Sequence, residues 1–339
     1  MTELLKTLCD LCGASGREET VRDYIYHQVK DDADCRVDAL GNLICEKKGE
    51  KRAAVKTVVD AHMDEVGVIA MAVNERGFVK FKTVGGIEPE TLLAKRFRFE
   101  KGAVGVVCTK PIHLCSGEEK EKMPSVDTMV MDIGASNRAE ALAKIAIGET
   151  AVFCPDFTLL GDMVCSKAMD DRVGCAVLIE LLKRPAAVDF TAVFSTREEV
   201  NGGGATVAAY STACEAALVL ESTTAADLPG SEGSDRVTVV GEGVALSLMD
   251  RKTLYDKKLY DAISALAEEK GIPCQTKQKV AGANNAGSYH VARGGVRTAA
   301  LSIPCRYLHS PSCTASMSDI RSMADLVAAV LPKLAGGEL

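Results

Sequence analysis

The stretch AAVKTVVDAHMDEVGVIAM is apolar at consecutive positions, on both faces of an extended chain, until Asp60 interrupts it. Such a strand belongs in a sheet covered by helices on both sides, because a sheet with one wet face alternates apolar and polar residues. Before it, ELLKTLCDLC and ETVRDYIYHQVKD carry helical periodicity, joined by GASGREE with Ser15 and Glu18 at the spacing of a capping box. CRVDALGNLICEKKG predicts two short strands about a turn at Gly41. Between about Ile69 and Asp156 the pattern changes: GFVKFKTV, RFRFEKGAVGVVCT and TAVFCPDF alternate in short runs, as in an antiparallel barrel or sandwich. One helix interrupts them, NRAEALAKIAI, with Ser136 as its N-cap. From about Leu159 helices (DRVGCAVLIELLKR, GGATVAAYST, TLYDKKLYDAISALAEEKG) alternate with strands (DFTAVFST, AALVLEST, VRTAALSIP), and SMSDIRSMADLVAAVLPKL closes the chain as a helix. The prediction is an α/β protein in which residues 1–68 and 159–339 form one domain and residues 69–158 are a β-rich insertion.

In open α/β sheets ligands gather beyond the C-terminal ends of the strands, so the residues standing there are the candidates. The strand over 57–59 runs into Asp60, His62 and Asp64, and the strand over 191–195 into Glu198, Glu199 and Asn201. The strand over 216–220 ends at Glu221, the strand over 298–303 leads to His309, and Asp170 and Asp171 precede the helix at Arg172. Each taken alone has a bland reading, a loop charge or a hydrogen-bonded boundary histidine. Together, two imidazoles and several carboxylates make oxygen- and nitrogen-rich metal sites suited to zinc, cobalt or manganese, and the absence of cysteine there favours catalytic over structural zinc. Asp64, two residues from His62 on an extended segment, points the same way and can accept from the ring nitrogen that does not ligate. Glu198 and Glu199 would repel each other without a cation; at a strand end their side chains diverge, so one can face metal and the other water and substrate. His27 falls on a surface helix, His113 in the insertion and His290 in a Gly-rich turn region, less committed to metal.

Composition narrows the classes. Of 339 residues 47% are hydrophobic and 26% charged, and the net charge of −7 argues against nucleic acid or an anionic membrane as partner. The opening residues lack the basic and apolar regions of a signal peptide, and no apolar run approaches the roughly 20 residues that span a bilayer. Thirteen cysteines scattered singly fit buried thiols in a reducing cytoplasm better than a disulfide framework, and Cys9 and Cys12 form a lone CxxC without a second pair.

DAHMDEVGV, SKAMDDRVG, TREEV, the 22-residue step from Glu199 to Glu221, and SIPCRYLHSP together resemble the glutamyl aminopeptidase family of di-metal peptidases, which includes the tetrahedral aminopeptidases and proteins once labelled cellulase M. MDIGASNRAEALAKIAIGE is similar to that family's insert, and the resemblance covers nearly the whole chain. It implies a three-layer helix–sheet–helix catalytic domain of the zinc-peptidase type with an inserted barrel-like dimerisation domain. It further implies two divalent ions per subunit, zinc or cobalt, bridged by Asp170, one held by His62 and Glu221 and the other by Glu199 and His309. Glu198 would be the general base, Asp64 would orient His62, and the substrates would be short peptides. The assembly implied is a homo-oligomer, from a dimer up to a large tetrahedral shell.

The chain departs from the family at four points. Glu221 stands where aspartate is usual, Asn201 where EEVG is expected, Asn285 where an aspartate is usual and Cys313 where a glutamate is usual. These departures motivate a second reading, a lapsed member acting as an assembly or binding protein. A third, a glycoside hydrolase, is disfavoured because its two carboxylates must flank a bond at roughly 5–9.5 Å, which sequence neighbours are poorly placed to do, and because the chain has no tryptophan for sugar stacking.

Overall fold

A computed structural model describes residues 1–339, side chains included except that of residue 119. The strand Thr57–His62, buried at every position, lies inside a large mixed sheet, parallel to Phe190–Ser195 on one side and Ala216–Thr224 on the other. From Ala216–Thr224 the sheet continues through Arg297–Arg306 and Cys313–Ser316, and beyond Phe190–Ser195 the hairpin Asp34–Val37 and Leu43–Lys47 closes that side. Side chains alternate between two cores. Val59, Ala61, Ala192, Phe194, Leu218 and Leu220 meet the helices Thr2–Asp10, Glu19–Val29, Met169–Lys183, Lys257–Lys270 and Met317–Ala335. Val58, Val193, Ala217 and Val219 meet Gly203–Thr212 and Ala286–Tyr289. The uninterrupted apolar strands are thus explained by cover on both faces, and each buried aliphatic side chain contributes about 1.5–3 kcal/mol.

The insertion is a closed barrel of six strands, Gly67–Val73, Val79–Val84, Val130–Asp132, Val104–Cys108, Arg96–Phe99 and Thr150–Phe153. Its interior holds Phe81, Phe97, Phe99, Met131 and Phe153, the rings of Phe97 and Phe153 lying 4.4 Å apart. Closure leaves no open sheet edge in this small unit. The fold is therefore the expected helix-covered sheet with an inserted barrel.

Three local expectations are corrected. The insertion helix Arg138–Lys144 is capped by Asn137, whose side chain accepts from the Glu140 N–H at 3.0 Å, and not by Ser136. Ser15 and Glu18 do not form a capping box on Glu19–Val29; both side chains turn toward the ends of the central strands. Glu221 lies inside its strand and not past its end. Pairing of Ala216–Thr224 with Thr57–His62 stops at Val219, while pairing with Arg297–Arg306 continues to Thr224, so Glu221 stands in an extended strand beyond the paired length of its neighbour.

Candidate metal centre

The strand ends converge. His62 closes its strand with Nε2 at 3.3 Å from Asp170 Oδ1 and 3.3 Å from Glu221 Oε1. His309 places Nε2 at 3.4 Å from Asp170 Oδ2 and 3.2 Å from Glu199 Oε2. Asp170 therefore offers one oxygen to each imidazole. Asp170 and Asp171 take non-helical backbone angles at the start of Met169–Lys183 and are joined by a cis peptide bond.

The histidine tautomers are set by their other nitrogens. Nδ1 of His62 lies 3.1 Å from the Asp64 carbonyl oxygen and 3.4 Å from Asp64 Oδ1, so the backbone of Asp64 shares the orienting role expected of its carboxylate. Nδ1 of His309 donates to the Gly86 carbonyl at 2.7 Å, a group supplied by the insertion. His309 holds a left-handed backbone, φ 57°, which is uncommon outside glycine and is held here by the contact at Gly86.

Asp64 has a second task that spacing alone did not show. Fully buried, it accepts the N–H of Glu198 at 3.0 Å and of Glu199 at 3.1 Å, and the Ser15 hydroxyl at 2.5 Å. Glu18 accepts the N–H of Arg197 at 3.0 Å. The two glutamates sit on a one-turn helix, Glu198–Asn201, and not on the strand end itself, so their divergence comes from helical rotation. The glycines that follow are steric: a Cβ on Gly204 would meet the Thr196 carbonyl oxygen at 2.2 Å.

The charges are poorly compensated by protein alone. Burial pushes the Glu199 and Glu221 carboxyls well above the usual range. Burial, reinforced by Asp64 and Asp170 and opposed by His62, raises Glu198 to about 7. Burial favours neutral imidazoles, but Glu221, Asp170 and Asp64 outweigh it at His62, and Asp170 and Glu199 push His309 up to about 10. Burial would raise Asp170 as well, yet the two imidazoles hold it far below the carboxylate range. Glu199 Oε1, Glu221 Oε2 and Asp171 Oδ2 are buried with no hydrogen-bond partner among the described residues. Unpaired buried oxygens are costly, and a divalent cation would satisfy them. Donor atoms of His62, Asp170 and Glu199, and of His62, Asp171 and Glu221, lie close enough to share an ion. The nitrogen and oxygen donor set fits zinc or cobalt. In the sequence Asp171 is only a neighbour of Asp170; its burial and orphaned oxygen bring it into the centre.

Beside these groups lies a cleft of 310 Å³, lined by Glu198, Glu199, Glu221, Lys252, Lys277 and Gly86 among others. His27 and His113 are on the exposed surface, and His290 Nδ1 pairs with the Ala286 carbonyl. The departures from the family pattern have local explanations. Asn285 Nδ2 donates to Asp60 Oδ2 at 2.8 Å, where a second carboxylate would meet like charge. Cys313 is buried with its sulfur 3.0 Å from that of Cys305, and Asn201 accepts the Gly203 N–H at 2.8 Å on the exposed side of the turn.

Similarity extends over the whole chain. Residues 41–326 match the family model described as M42 glutamyl aminopeptidase. The lysyl aminopeptidase of Pyrococcus furiosus is 33% identical over 344 residues, covering 98% of this chain and 97% of the relative. An aminopeptidase from the archaeon Desulfurococcus kamchatkensis superposes with a TM-score of 0.93 at 31% identity, covering 99% of this chain and 96% of that one. The TET1 peptidase of Pyrococcus horikoshii, described as assembling into a tetrahedron or a large octahedral shell, superposes with a TM-score of 0.86 at 31% identity, covering 97% and 98%. With its sheet, its barrel and its converging carboxylates and imidazoles, the chain belongs to the M42 glutamyl aminopeptidase family and is a hydrolase of peptide bonds.

Proposed function

We propose that this protein removes the N-terminal residue of short peptides at a centre built for two divalent ions, zinc or cobalt. The observation that carries the proposal is Asp170, with one oxygen facing each of two imidazoles, that of His62 at the end of Thr57–His62 and that of His309 in the turn after Arg297–Arg306. His62 and Glu221 would hold one ion and Glu199 and His309 the other, with Asp170 between them. Ions held there would supply Lewis acidity toward the scissile carbonyl and lower the pKa of water. Asp64 holds His62 in one tautomer and fixes the backbone of the Glu198–Asn201 turn. Glu198, which lines the cleft, takes the proton of the attacking water and returns it to the leaving amine.

Lys277 lines the same cleft, is half-buried, and donates to the Ala281 carbonyl at 2.7 Å; Lys252 lines the cleft as well. Two ammonium groups on the cleft wall favour an acidic side chain on the residue removed. A panel of aminoacyl anilides tests both parts: Glu198→Gln should lose turnover with metal retained, and Lys277→Met should lower kcat/KM for glutamyl more than for leucyl substrates. Equal loss on both substrates would refute the role of Lys277, and no turnover on any peptide with two ions bound would refute the function.

We further propose a cytoplasmic homo-oligomer, from a dimer up to a tetrahedral shell, assembled through the insertion over 69–158. The thirteen free thiols support a reducing compartment. Exposed Met71, Val104, Ile112 and Leu114 on the insertion support burial against a partner.

A further inference from the structure

Beneath the centre lies a group of charges that the chemistry above does not use. Lys167 and Arg172 are both fully buried, three residues before and two residues after Asp170, and Glu65, 2% exposed, is the residue after Asp64. Lys167 Nζ donates to Glu65 Oε1 at 2.7 Å, to Glu65 Oε2 at 2.8 Å and to the Leu11 carbonyl at 2.9 Å. The Arg172 guanidinium donates to Glu65 Oε1 at 3.1 Å, to the Met63 carbonyl at 2.9 Å and to the Leu8 carbonyl. Gly13 completes the enclosure, since a Cβ there would meet Arg172 Nη2 at 2.8 Å, and its carbonyl accepts the Glu65 N–H at 2.9 Å.

Three segments are tied by these bonds: residues 8–13 at the end of the first helix, residues 63–65 leaving the strand of His62, and residues 167–172 carrying Asp170. A cluster of two cations and one anion is an expensive way to hold a core, because each buried charge loses its hydration and a packed apolar cluster would do as well. What the cluster adds over apolar packing is direction: six donors aimed at named oxygens fix Asp170 against His62 and Asp64.

We propose that Glu65, Lys167 and Arg172 form a positioning triad that sets the metal affinity of the centre, a role that rests on the metal centre proposed above. Their bonds place the Asp170 oxygens at their 3.3 Å and 3.4 Å separations from the two imidazoles, and loosening them spreads the donor atoms. Groups hydrogen-bonded to metal ligands govern affinity by about ten- to a hundredfold, and the triad acts in the same range through the backbone beside the ligands, bonding the Met63 carbonyl next to His62.

The test measures zinc affinity by competition with a chromophoric chelator, alongside thermal unfolding of the metal-free protein, for wild type, Glu65→Gln and the double variant Glu65→Gln/Lys167→Met. The double variant removes the ion pair as a unit and keeps the comparison available if the single variant fails to fold. Both variants, folded at the assay temperature by near-ultraviolet circular dichroism, should bind at least one zinc ion about ten- to a hundredfold more weakly than wild type. A lower melting temperature with zinc affinity within threefold of wild type would make the triad purely structural and overturn the proposal. Wild type that binds no zinc would instead remove the metal centre, and the triad's role with it.

Discussion

At the residue scale, the carboxylates of the centre grip backbone as well as facing the imidazoles. Asp64 is the clearest case, binding the N–H groups of both Glu198 and Glu199 while fixing His62. Glu198→Gln keeps that backbone grip and loses only the proton acceptor, so turnover should fall by about 10²–10⁴ with zinc binding unchanged; steady-state kinetics with metal analysis check it. Asn285→Asp replaces the amide that donates to Asp60 Oδ2 with a second carboxylate. Stability should drop by about 2–4 kcal/mol at pH 8 and recover toward pH 5, where the pair shares a proton; urea unfolding at the two pH values measures this. The strand-end residues were legible in the sequence because a buried strand that ends in Asp, His or Glu breaks an apolar run. The bonds of Ser15 to Asp64 and of the Arg197 N–H to Glu18 were not, because they join groups about 50 and 180 positions apart, and local spacing suggested a helix cap.

At the element scale, the turn Glu198–Asn201 connects strand to helix under tight steric control. A Cβ on Gly204 would collide with the Thr196 backbone, whereas one on Gly203 would meet only the Asn201 side chain at 2.9 Å. Gly204→Ala should therefore cost more than tenfold in activity, about 1.4 kcal/mol, and Gly203→Ala should stay within a few fold. The repeated glycines were visible in the sequence, but their unequal roles depend on which backbone faces each Cα. Glu18, which holds the same turn through Arg197, is raised to about 7 by burial and by Asp64, against the opposing pull of the backbone N–H groups. Because its folded pKa lies above its unfolded value, its contribution to stability is full below about pH 4.5 and is lost as pH rises through about 7. Glu18→Gln should flatten the pH dependence of unfolding between pH 5 and 8, by up to about 3 kcal/mol; a variant that follows the wild-type curve would contradict this.

At the scale of the whole molecule, the sheet aims its strand ends at one cleft and the barrel leans in to fix His309 through Gly86. The change from continuous to alternating apolar runs made the insertion legible as a unit, whereas its contact with the centre was not, because a backbone carbonyl has no sequence signature. Removing the ions should unbalance the buried carboxylates, so a chelator should lower the melting temperature by several degrees and abolish hydrolysis, with zinc or cobalt restoring both. The most direct test of the account is a titration of metal-free protein with cobalt or zinc, following release of the N-terminal residue from a glutamyl anilide. Activity that rises from zero and saturates at two ions per chain is the predicted result; full turnover without added ions, or none with two ions bound, would contradict it.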